Sequence, residues 1–182
     1  PSGKLPFSFP AKLTDCGAHA FDELSYPGDS IKQEYKEDIL VGYRWHDTKK
    51  VPALFPFGHG LGDTTFTYGK PVASAKTMAA DGTLTVTVAV KNTGSIAGKE
   101  IVQLYVGDDK CSVLRPVKEL KHFAKVGLAP GEEKSVTFTL TPDDLKFYDE
   151  ASAAWKYEPG KFKAYVCASS ADVRGVVSFE MQ

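Results

Sequence analysis

From about Thr67 to the end of the chain, apolar residues recur at every second position. A period of two cannot lie along one face of a helix, but it describes a strand with one buried face. "TLTVTVAV" sets Leu84, Val86, Val88 and Val90 on one side and Thr85, Thr87 and Ala89 on the other. "KEIVQLYV" sets Val102, Leu104 and Val106 opposite Gln103 and Tyr105. Val136, Phe138 and Leu140 continue the pattern, followed by Phe162, Ala164 and Val166, and then Val177, Phe179 and Met181.

Turn chemistry separates these runs. Asp81-Gly82 marks a tight turn, and Pro130-Gly131 supplies the central pair of a type II turn. Thr141 followed by Pro142 and two acids reads as a capped helical turn. Seven strands are expected, over 67–78, 83–92, 100–108, 117–127, 133–140, 161–168 and 174–181. Seven short alternating strands indicate an all-β, antiparallel β-sandwich of immunoglobulin or fibronectin III type, with a closed barrel as the alternative. The immunoglobulin disulfide is missing, because 83–92 has no cysteine, and Cys167 reads as a small core residue.

Residues 1–66 follow other rules. "GYRWHDTKKVPALFPFGHGL" (42–61) is dense in aromatics, glycine and proline and has no period. "YKEDILVGY" reads as one short strand and "YRWHDTKK" as a single helical turn. Ordering a residue costs on the order of 1–2 kcal/mol, so an irregular arm of this length needs extensive burial. Its aromatic content argues against disorder. The expected organisation is a linker arm over 1–66 and a β-module over 67–182, with the arm lying on the module and on a neighbouring domain outside this chain. A start at Pro1 without a methionine fits a piece of a longer or processed protein.

The chain offers little convergent chemistry. A net charge of −1 and only three arginines, Arg44, Arg115 and Arg174, give no footprint for nucleic acid. No run approaches the roughly 18 apolar residues of a membrane span. Cys16, Cys111 and Cys167 form no CxxC, and the four histidines show no ligand spacing, so neither metal nor cofactor is expected. No GxSxG or GxGxxG motif opens a helix. The acid pairs Asp108-Asp109 and Asp143-Asp144 read as solvated, and Glu37-Asp38 as solvated or capping rather than lining a sugar pocket. No residue of the chain is assigned a catalytic role. Tyr43, Trp45, Phe55 and Phe57 are the candidate residues for a domain joint or, alternatively, for stacking on a sugar. Arg44 and Asp47, three apart, are placed either to pair on one helical turn or to reach a neighbour or ligand.

Several ordered motifs carry a resemblance: "GKLPFSFP", "YPGD", "YKEDILVGYRWHDTKKVPALFPFGHGLGDTTF", "KNTGSIAGKEIVQLYV", "RPVKELKHFAKVGLAPGEEKSVTFTLTPDDLKFYDE" and "EPGKFKAYVCASS". Together they closely resemble the C-terminal part of family 3 glycoside hydrolases, the β-glucosidase and β-xylosidase group. The resemblance implies a parent enzyme that hydrolyses terminal β-D-glycosyl residues with retention. It implies a fibronectin III-like module preceded by a linker that returns over a barrel-like domain and an α/β domain. In the family the catalytic carboxylates lie in those upstream domains, so the fragment alone is expected to be inactive. Its partners would be the upstream domains and, for the parent, a β-glycoside or oligosaccharide. His46, His59, Gly62 and Asp63 depart from the aromatic or small residues common at these positions, which suggests a joint tuned by pH. The rival readings are a carbohydrate-binding sandwich with Trp45 or Tyr43 as platform, and an extracellular spacer module, although no repeat is evident. The compartment stays open, with periplasm or secretion favoured over cytoplasm.

Overall fold

The computed structural model describes residues 1–182. The arm holds β1 (Phe9–Pro10), α1 (Tyr43–Lys49) and β2 (Ala53–Phe55). The remainder holds β3 (Phe66–Tyr68), β4 (Val72–Ala73), β5 (Thr77–Met78), β6 (Leu84–Asn92), β7 (Gly98–Asp108), β8 (Glu119–Leu128) and β9 (Glu133–Leu140). It ends with β10 (Phe147–Asp149), β11 (Ala154–Lys156), β12 (Gly160–Ser169) and β13 (Asp172–Met181). The chain is all-β apart from one short helix and three 3-10 turns.

One sheet runs β5-β13-β12-β7-β8. In the other, β6 is flanked on one edge by β3 and β4 in succession and on the other by β9. Every pairing is antiparallel except β13 with β5. Eighteen buried side chains form one core between the sheets; fifteen are residues the alternation assigns to the inner face, joined by Met78, Leu128 and Leu145, while Val177 packs against the core only partly buried. Each such Val, Leu or Phe contributes about 1.5–3 kcal/mol relative to exposure.

The strand count differs from seven, because thirteen strands form. The run 67–78 breaks into β3, β4 and β5, and its tail crosses from the β6 sheet to β13. Pro71 has no N–H to give a ladder, and its ring lies against Gly175 of β13, so the run bends there. The β1–β2 and β10–β11 pairs add four short strands that carry too few residues to show a period. "YKEDILVGY" is not a strand. Asp38 takes a left-handed φ of 57°, and its Oδ1 accepts the Ile39 N–H at 2.7 Å, which turns the chain and delivers Leu40 to the interior. "TPDDL" does form the capped turn, Pro142–Leu145, with Thr141 and Asp144 in a reciprocal capping box.

The outer face of the larger sheet is solvated only in part. Gln103, Tyr105 and Cys167 point away from the core and are nonetheless buried. The arm covers them. Cys167 is therefore a buried residue of the arm-facing side rather than of the inner core, and burial pushes its thiol up to about 12.

Candidate functional site

The seam between arm and sheet is built on Gln103. Its Nε2 donates to the carbonyls of Gly58 at 3.2 Å and Ala168 at 2.9 Å, and its Oε1 accepts the Tyr105 hydroxyl at 2.6 Å. The "FPFG" backbone needs this close approach. Gly58 has φ of +77°, and a Cβ there would stand 2.3 Å from Gln103 Oε1. The Ser170 N–H donates to the Phe57 carbonyl at 2.8 Å; the Gly58 N–H donates to the Leu5 carbonyl and the Leu5 N–H to the His59 carbonyl, each at 2.8 Å, which ties in the start of the arm. Tyr43 meets Phe57 at 4.9 Å and Tyr105 edge-on at 5.6 Å. Burial drives the Tyr105 phenol well above its ordinary value, so it stays a donor.

Helix α1 clamps the start of β8 and the residues just before it. The Tyr43 hydroxyl accepts the Leu120 N–H at 2.9 Å, and Thr48 Oγ1 accepts the Val117 N–H at 3.0 Å. Arg44 and Asp47 do not pair with each other. Arg44 reaches Glu119 at 3.1 Å, while Asp47 bonds Lys118 Nζ at 2.6 Å. Both members of the Asp47–Lys118 pair are nearly buried, at 12% and 8% side-chain exposure. Burial pushes the Asp47 carboxyl up, and the Lys118 ammonium offsets this only in part. At Glu119, burial opposes ionisation, but Lys121, Arg115 and Arg44 together outweigh it and hold the carboxyl below its usual range.

Trp45 points to the opposite side of α1. It is 6% exposed, its Nε1 donates to the Asp15 carbonyl at 3.0 Å, and Phe21 meets it edge-on at 5.7 Å. With Leu40 it forms a small core of the arm itself, so it cannot serve as a sugar platform. Glu37 is buried beside this core with Oε2 lacking a partner, contrary to a solvated or capping role. His46 is also interior, with Nδ1 bonded to the Val51 carbonyl at 2.9 Å. Phe55 behaves differently. It is 44% exposed and sits among Phe9 and His59, with Phe7 next to Phe9. Thus the structure gathers Tyr43, Phe57, Arg44 and Asp47 on the seam and sends Phe55 outward.

Away from the seam the arm leaves large apolar side chains uncovered. Phe7, Leu13, Phe21, Ile31, Tyr35, Val41, Leu54 and Leu61 are all exposed. Sequence reasoning singled out none of them, because outward direction is not written in an aperiodic segment. No cluster of His, Cys, Asp and Glu is arranged to hold a metal. No helix is long and apolar enough to cross a membrane.

Comparison with known proteins fits this architecture. Residues 100–170 match the fibronectin type III-like domain family. Over 180 residues it is 68% identical to Beta-glucosidase BoGH3A of Bacteroides ovatus, covering 99% of this chain and 24% of that protein. It is 49% identical over 173 residues to Thermostable beta-glucosidase B of Acetivibrio thermocellus, covering 95% of this chain and 22% of that one. Among solved structures, DesR, a β-glucosidase from Streptomyces venezuelae in complex with D-glucose, superimposes with a TM-score of 0.91 at 42% identity, over 100% of this chain and 23% of DesR. The GH3 β-glucosidase of Bifidobacterium adolescentis gives 0.89 at 35% identity, over 100% of this chain and 26% of that one. The chain thus spans about a quarter of the length of these relatives, and the match includes the arm as well as residues 67–182.

Proposed function

We propose that this chain is the C-terminal segment of a family 3 glycoside hydrolase of β-glucosidase type, a retaining enzyme acting on terminal β-D-glycosyl residues. In this reading residues 67–182 form a seven-stranded fibronectin III-like sandwich, with the run 67–78 counted as one interrupted edge strand shared by both sheets. Residues 1–66 are the linker arm from the preceding α/β domain. The segment supplies no catalytic carboxylate. It acts structurally, holding the catalytic domains through the outer side of the arm.

The observation that carries this reading is the two-sidedness of the arm. One side is committed to the β7–β12 face through Gln103, Tyr43 and Phe57. The other presents large apolar side chains, Phe7, Phe9 and Phe55 among them, of a kind that mark an interaction surface when clustered. Support for the parent's activity comes from relatives named β-glucosidases that match the whole chain. The test uses the full-length enzyme and the segment side by side, assayed on an aryl β-glucoside. The segment alone is expected to be inert, and Phe7→Ala/Phe55→Ala in the full enzyme is expected to lower both thermal midpoint and rate. Hydrolysis by the purified segment would overturn the reading, as would a parent indifferent to the double substitution.

A further inference from the structure

The hairpin β10–β11 borders the arm seam at Arg44, and it displays the most exposed large aromatic pair outside the arm. Tyr148 and Trp155 are directly opposite in register, 51% and 66% exposed, with ring centroids 5.7 Å apart in an edge-to-face arrangement. The other side of the hairpin is firmly seated. Phe147 is buried beneath the Arg115 guanidinium, 5.6 Å from its ring centroid, while within the hairpin Lys156 bonds Asp149 at 2.9 Å and ties its two strands together. Two solvent-facing aromatics on so well-anchored a hairpin are pre-organised, because little side-chain freedom remains to be lost when a ligand arrives.

The pair borders a cleft of about 430 Å³ shared with Arg44, Arg115, Glu119 and Glu150. That volume lies within the usual range for small-ligand sites. Arg115 is spent, donating to the Leu145 carbonyl at 3.0 Å and to Glu119 at 3.2 Å. Arg44, with its side chain 40% exposed, retains free N–H groups beyond its contact with Glu119, and Glu150 is exposed. An aromatic face next to guanidinium donors and carboxylate acceptors matches the two-sided chemistry of a pyranose: apolar C–H on one face, vicinal hydroxyls on the rim.

We propose that this cleft is an oligosaccharide-binding site, with Trp155 stacking on a sugar ring and Arg44 and Glu150 bonding its hydroxyls. The choice of a β-linked glucan as ligand rests on the β-glucosidase reading above. The chain contains two tryptophans, and Trp45 is buried in the arm, so the two indoles report independently. Titration of this 182-residue chain with cellotetraose, followed by NMR of the indole N–H signals, is expected to move the Trp155 resonance saturably and leave that of Trp45 in place. Trp155→Ala should abolish a parallel fluorescence response while Trp45→Phe keeps it, and Arg44→Ala should weaken binding roughly tenfold, the loss of one good polar contact. Absence of a saturable Trp155 shift up to about 10 mM sugar, an affinity too weak to matter, would overturn the site, as would an equal response from Trp155→Ala. Neither result bears on hydrolysis by the full enzyme, so failure here leaves the structural reading of the segment standing.

Discussion

Gln103 shows how one side chain can decide what a sheet face does. In sequence it occupies an outward position flanked by apolar inward ones, the ordinary mark of a solvated face. In the structure all its polar atoms are used, two carbonyls on Nε2 and one hydroxyl on Oε1. Leaving such groups buried and unpaired costs about 1–3 kcal/mol each. Gln103→Leu, close in shape but without polar atoms, should therefore lower stability by about 3 kcal/mol, read as a fall in the urea midpoint at unchanged slope. Tyr105→Phe strands only Oε1 and should cost about 1–2 kcal/mol by the same principle. Equal losses from the two variants would show that packing, and not the hydrogen bonds, holds the seam.

Among the elements, α1 and the β8 entry are joined by charge in a place that burial makes costly. Breaking a buried pair by removing one partner typically costs about 3–5 kcal/mol, whereas replacing both by apolar groups can be nearly neutral. Asp47→Ala should thus destabilise by about 3 kcal/mol, and Asp47→Leu/Lys118→Met should restore most of that in thermal denaturation. A double variant as weak as the single would assign the loss to helix geometry instead. The elements also mark where sequence can be read. Strands β6, β7, β9, β12 and β13 were legible because each is long enough to repeat its period several times. Those of the hairpin β10–β11 were not, having three residues each. The helical turn at "YRWHDTKK" was visible, but the opposed directions of Tyr43 and Trp45 were not, since both are large aromatics and only tertiary partners distinguish them. Two motifs that look independent in sequence prove to be mates. Thr64 donates to Asn92 Oδ1 at 2.6 Å, and Gly94 leaves room for it, because a Cβ there would stand 2.2 Å from Thr64 Oγ1.

At the scale of the whole molecule, the arm and the β-module share one buried layer. The change of sequence pattern near residue 66 is sharp, but it is not a line of weak contact. A protein trimmed to residues 67–182 should express with a lower thermal midpoint and offer a Cys167 thiol open to alkylation that the full chain protects, since Tyr105 and Cys167 lose their cover. A thermal midpoint and a Cys167 reactivity equal to those of the intact chain would mean the outer face can be solvated without cost. Cutting at the covalent boundary would behave less like parting two beads on a string than like peeling rind from fruit: what lies beneath has never had a finished surface of its own.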